Sequence, residues 1–222
     1  GAVRTQAPYS RNAFVSPNSR NTQIDNLKSE FIYTGDVNYN VRYPNLKLRL
    51  TYYYTEQKNS LWTRTFYNDD YNNFVNFVMT NVDYLHQGLE LGADGKIFKN
   101  LSGTAVLALG QHLYNSRPNA SIYLENTEAV LDQDRTVYLQ NYKIGGMPQS
   151  AASLGLKYKG KKYWFTGVDF TYYKDIFLDP NPGRRTEEAV ANFVVKDPQW
   201  KQTLDQVQLN DGYAVNLFIS KS

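Results

Sequence analysis

His86 and His112 are the sharpest chemical feature of this 222-residue chain, and its only histidines. Both lie in residues 84–114, a stretch that reads as a mirror image about Lys99. Folded there, Leu85 faces Leu113, Gln87 faces Gln111 and Leu89 faces Leu109. Leu91 then faces Leu107, Ala93 faces Ala105, Gly95 faces Gly103 and Ile97 faces Leu101. In that register the two imidazoles stand opposite each other with Cβ atoms about 5 Å apart. They could share a metal ion or a hydrogen bond. Two nitrogens alone make a poor metal site. Glu90 is four residues along, about 13 Å away, and cannot join His86 on one ion. The pair is kept as a weak metal candidate, and no cofactor is assigned.

Other chemistry finds little support. The chain has no cysteine, which removes thiolate catalysis, thiolate metal sites and disulfides. There is no G-x-S-x-G, no H-E-x-x-H and no glycine-rich phosphate loop. Carboxylates are plentiful, but no pair stands out for glycosidase work. No catalytic residue is assigned, and the chain is read as a non-enzyme. A net charge of +3 is too mild to argue for nucleic acid.

The better candidates are aromatic and charged residues in the long segments between strands. Trp62, Tyr67, Asp69 and Asp70 fall in the first segment, residues 59–83. Arg184, Arg185 and Trp200 fall in the third, residues 175–211. Aromatic faces stack on rings, and arginine forks carboxylates or phosphates. These seven are the candidate substrate-binding residues. The competing reading is that they pack loop against loop. Lys47 and Arg49 are expected to solvate a channel or pair with Asp36.

The elements that must carry these residues are strands. Odd positions of 84–114 are mostly apolar or small, while even positions carry His86, Glu90, Asp94, Lys96, Ser102, Thr104 and His112. Strict alternation on both arms predicts an antiparallel hairpin with one wet and one dry face. Each arm is about a dozen residues, against the usual five or six for a soluble strand. That length suits a wall between lipid and water. The same alternation predicts strands over 30–43, 46–58, 149–158, 163–174 and 212–222, with Gly35 opposite Tyr54 so that the ring can cover the glycine. A short helix is expected in EEAVANFV or QWKQTLDQV. No apolar run is long enough for a transmembrane helix, but barrel strands hide their lipid face in alternation.

Short turns then alternate with long loops. The predicted class is all-β: about seven antiparallel up-and-down strands forming part of a large transmembrane β-barrel with long extracellular loops. Residues 1–29 are read as loop, and residues 30–222 as strands and loops of one domain. Seven strands cannot close as an up-and-down bacterial barrel, and open edges are intolerable in lipid. The segment is therefore expected to be a piece of a larger wall.

The runs SRNAFVSPNSRN, LKSEFIYTGDVNY, YLHQGLELGADGKIFKNLSGTAVLALG, NPGRRT and DGYAVNLFISKS resemble the later barrel strands of TonB-dependent outer-membrane receptors. The likeness is to the large Bacteroidetes type, whose plug follows a carboxypeptidase-regulatory-like domain. It implies a barrel of about 22 strands, a plug, and a box that couples to TonB. It further implies import of a nutrient or chelate across the outer membrane of a Gram-negative bacterium. The partners implied are outer-membrane lipid, TonB through a plug region outside this segment, and a surface lipoprotein. Ser222 is not the terminal aromatic such barrels usually carry, so the segment is expected to stop before the barrel's end. A second reading is a soluble cell-surface β-sandwich that binds glycan or protein. The outer face discriminates. A lipid wall keeps Val37, Leu48, Leu50, Leu89, Leu91, Leu107, Leu109, Leu154, Val168, Phe170 and Leu217 on an exposed belt, whereas a sandwich buries them.

Overall fold

The computed structural model describes residues 2–6, 13–15, 22–69, 71–127 and 129–221. Ten strands form one antiparallel sheet. They are β1 (Ala2–Gln6), β2 (Glu30–Tyr43), β3 (Leu46–Asn68), β4 (Asn73–Phe98) and β5 (Leu101–Tyr114), then β6 (Asn119–Leu124), β7 (Val130–Thr136), β8 (Pro148–Lys159), β9 (Trp164–Ile176) and β10 (Gly212–Lys221). The path runs β1-β2-β3-β4-β5-β8-β9-β10, with β6 and β7 attached to the upper part of β4. Eight strands thus make the wall, not seven. Part of the expected N-terminal loop is a strand: β1 pairs with β2 from Ala2↔Thr34 to Gln6↔Glu30. Its five residues are too short to show an alternation, and pairing with the edge of β2 supplies the order.

The central hairpin has the mirror register almost throughout. His86 pairs with His112, Leu91 with Leu107 and Gly95 with Gly103. The exception is at the turn, where a bulge between Lys96 and Phe98 sets Phe98, not Ile97, opposite Leu101. Gly35 does pair with Tyr54. The ring does not cover it, because nothing lies within 4 Å of where a Cβ would stand.

The outer face of the wall is apolar and exposed. Leu91, Leu109 and Leu154 keep 41%, 48% and 61% of their surface open. Of the eleven belt residues, Leu48 and Val168 are half-covered and the others exposed. No second sheet packs on this face among the described residues. The belt has clear limits. At the turn end stand Tyr43, Tyr158 and Trp164, all exposed. At the far end the outward series Leu91, Leu89 gives way to Gln87, which donates to Gln111 (3.0 Å) and accepts from the Tyr52 hydroxyl (3.4 Å). Above them Lys58 and Glu56 form an ion pair at 3.2 Å. About ten residues separate Ile97 from Gln87. At about 3.3 Å each and a tilt of 35–45°, they cover roughly 25 Å, the height of a lipid-facing band. No helix among the described residues is long and apolar enough to cross a membrane, which says nothing about strands.

The segment 59–83, expected as a loop, is instead the top of the β3–β4 hairpin. Two bulges explain why its alternation was hidden. One inserts Asn59 on β3 and the next inserts Asn81 on β4, both in the left-handed region at φ 58°. Each bulge exchanges the two faces of its strand. The buried core lies at and above their level. Phe77, Met79, Val82, Tyr114, Ala120, Val137 and Leu139 cluster on one side of β4. Val78 packs with Val15, Ile24 and Tyr123 on the other. Val75–Met79 is buried on both faces, so VNFVM is apolar but for the hydrogen-bonded Asn76 and shows no period of two.

Candidate functional site

Two long connections meet above the lumen face of the wall. One links β7 to β8 and the other links β9 to β10. The first is anchored by strand-like bonds. Asn141 N–H donates to Tyr114 O (2.8 Å), Tyr114 N–H to Tyr142 O (2.9 Å) and Ile144 N–H to His112 O (2.9 Å). The second carries α1 (Glu187–Val190) and α2 (Pro198–Leu204), so both sequences proposed for a helix contain one. Thr186 caps α1 by accepting from Ala189 N–H at 3.3 Å, and two glutamates fill its first turn. Pro198 opens α2, where the missing N–H costs nothing.

Side chains tie the connections together. Gln206 Nε2 donates to Lys143 O (2.6 Å) and Leu178 O (2.7 Å), and Gln206 Oε1 accepts from Lys143 N–H (2.9 Å). Asp179 Oδ1 accepts from Gly145 N–H at 2.8 Å. Arg185 is buried. Its guanidinium donates to the carbonyls of Asn181 (3.0 Å), Leu204 (3.3 Å) and Asp205 (3.1 Å), and lies 4.8 Å from the centre of the Tyr142 ring. The Tyr142 hydroxyl donates to the same Leu204 carbonyl.

Between the two connections opens a cleft of about 850 Å³, within the range of small-molecule sites. Its walls include Tyr138, Tyr142 and Lys143 from the first connection and Phe193, Trp200 and Lys201 from the second. Arg117 also lines it, with its guanidinium 5.4 Å from the Tyr138 ring centre.

The sequence-selected residues divide. Trp200 lines the cleft, and Arg184 is exposed in the 3₁₀ turn Pro182–Arg184. Arg185 is occupied by loop carbonyls, so its donors serve loop-to-loop packing. Trp62 packs edge-on to Phe77 with ring centres 6.2 Å apart, and Tyr67 meets Phe74 at 5.4 Å. Both belong to the hairpin top, away from the cleft walls. Asp69 makes the turn there, its carbonyl accepting from Asn72 N–H at 3.3 Å. Asp70 lies outside the described residues. Arg117, Tyr138, Tyr142, Lys143 and Phe193 were not singled out from sequence. The one available signal was the i, i+4 pair of Trp200 and Leu204 on α2.

On the lumen wall His86 Nδ1 and His112 Nδ1 are 2.9 Å apart, a hydrogen-bond distance. Tyr53 stacks beside His112 at 6.5 Å. It lies over a trough made by the paired glycines Gly88 and Gly110, where added Cβ atoms would meet its hydroxyl at 2.6 and 3.0 Å. Among the described residues no group of three or more His, Cys, Asp or Glu could hold a metal. Arg49 bonds Asn38 Oδ1 at 3.2 and 2.9 Å through Nε and Nη2, rather than pairing with Asp36.

The comparisons with known proteins agree with this architecture. No curated protein matches the chain. Among solved structures the chain is similar to the copper transporter OprC, with TM-score 0.52 and 17% identity over 77% of this chain and 22% of that one. At that identity the likeness is one of fold, and the segment spans about a fifth of the OprC chain. The family described as TonB dependent receptor-like, beta-barrel, matches residues 3–220. Barrels of that family lie in the outer membrane of Gram-negative bacteria. An apolar belt with aromatic limits, short turns at one end and long connections at the other are what such a barrel requires, and the chain belongs to the TonB-dependent receptor β-barrel family.

Proposed function

We propose that this segment supplies part of the wall and part of the extracellular vestibule of a TonB-dependent transporter. Substrate is captured at the cleft between the two long connections, and TonB acts through a plug outside the segment. The observation that carries the reading is the outer belt. Apolar side chains from Val37 to Leu217 face outward with nothing packed on them among the described residues. Soluble monomers rarely leave more than a few hundred Å² of contiguous apolar surface open to water, and a belt that runs across the wall is of the kind that marks a membrane or partner face. Among the described residues β1 and β10 carry one neighbour each. Lipid does not permit that, so further strands complete the wall.

The soluble β-sandwich is disfavoured, because it needs these same residues buried. The segment performs no chemistry of its own in this reading. A Bacteroidetes-type N-terminal domain and a surface lipoprotein partner belong to the proposal as well. The copper named for OprC is not carried over, since the likeness is of fold alone. Expression of the receptor with its native flanking sequence tests the reading. It should sediment with outer membranes and migrate faster on a denaturing gel unheated than heated. A soluble, monomeric, cooperatively folded product without detergent would sink it.

A further inference from the structure

The charges around the cleft point to the kind of molecule it holds. Three cations line it, Arg117, Lys143 and Lys201, against two carboxylates, Glu187 and Asp205. None of these cations has an ion-pair partner among the described residues. Arg185 stands directly behind the wall, 4.8 Å from the centre of the cleft-lining Tyr142 ring. It is 5% exposed, and among the described residues it contacts carbonyls and no carboxylate and its Nε has no partner. A buried charge is screened far less than an exposed one, so its field reaches into the cleft. The lining also offers apolar surface, with the rings of Phe193 and Trp200 and the side chain of Val190. Apolar lining that includes rings suits a ring face, and an excess of cations suits an anion beside it.

We propose that the cleft takes a ring-bearing carboxylate. The shared chemistry is a flat or puckered ring with a carboxylate attached, whether a sugar acid or an aromatic acid. The ring lies against Trp200 and Phe193, and the carboxylate faces Lys143 and Lys201. This inference rests on reading the cleft as the substrate vestibule.

The test uses the complete receptor carrying this segment, purified in detergent. Binding of phenylacetate, glucuronate and neutral phenylacetamide is measured by saturation-transfer NMR. The same probes are run on a Lys143→Gln/Lys201→Gln variant. Lys143 ties the loops through its backbone groups, so the double variant should keep the fold; heat-modifiable migration checks this. At least one carboxylate should bind about tenfold more tightly than the amide, and the double variant should lose about that factor, as charge-assisted contacts allow. The better of the two carboxylates tells an aromatic acid from a sugar acid. Affinity should also fall as salt rises from about 50 to about 500 mM. An amide that binds equally, a double variant that binds unchanged, or absence of binding by all three probes overturns the proposal. Outer-membrane fractionation of the same receptor reads the transporter assignment separately. A receptor that sits in the membrane without this preference loses only the ligand class.

Discussion

Along β4 the lower half leaves Leu89 and Leu91 at 42% and 41% exposure, whereas the upper half hides Val75, Phe77 and Val78 at 0–1%. One strand serves two environments. Below the level of Tyr84 and Tyr114 the described residues form no apolar core, and the apolar side chains of the wall face outward. Lipid takes the place of a second layer, and the backbone bonds are closed strand to strand. Above them water returns, and the chain must bury its apolar groups against itself. It does so by adding β6 and β7 and by folding residues 137–144 inward. The loops of this barrel are therefore a small soluble domain built on a lipid-facing sheet. The exposure of a leucine reports which solvent it meets, not whether the hydrophobic effect holds it.

The largest expected effect is in the upper region. Phe77→Ala should cost the cap about 3–5 kcal/mol. Limited proteolysis should open residues 115–148, while the wall keeps its heat-modifiable migration. If wall and cap melt together, they are one cooperative unit and the division is wrong. A charge in the belt comes next. Leu91→Arg should destabilise the wall by about 2–4 kcal/mol near the bilayer midplane, measured by urea unfolding in lipid vesicles. A change below about 0.5 kcal/mol, usual for a solvated surface, would mean water and not lipid covers that face.

Two glycines sharpen the contrast within the wall. Gly88→Ala drives a Cβ to 2.6 Å from the Leu109 carbonyl and the Tyr53 hydroxyl. Backbone cannot yield cheaply there, so a loss of about 1–3 kcal/mol is expected in the same unfolding assay. Gly35→Ala meets open space and should shift stability by no more than about 0.5 kcal/mol. Equal effects at the two sites would remove the trough as a device for seating Tyr53.

The wall was legible in the sequence because its period of two is strict and its pairing nearly palindromic. His86 and His112 could be set opposite each other from Lys99 alone. The register failed at Ile97, where a bulge adds a residue that no pattern announces. The cap was not legible for two reasons. Asn59 and Asn81 break the alternation, and a doubly covered strand has none to show. The cleft was hidden differently. Lys143 comes from irregular chain in one connection and Trp200 from the seven-residue helix α2 in the other. The i, i+4 spacing of Trp200 and Leu204 marks one helix face but says nothing of Lys143 on the other connection, and only Trp200 was anticipated.

The paired bulges have one more consequence. The residue gained at Asn59 is returned at Asn81, so the strands leave the junction in the register they entered. Deleting a matched pair of residues above this level shortens the hairpin without disturbing a single pairing below it. The level of Asn59 and Asn81 is thus a natural grafting seam. Hairpin tops of different length and sequence can be exchanged there, and the barrel beneath need not be rebuilt to carry them.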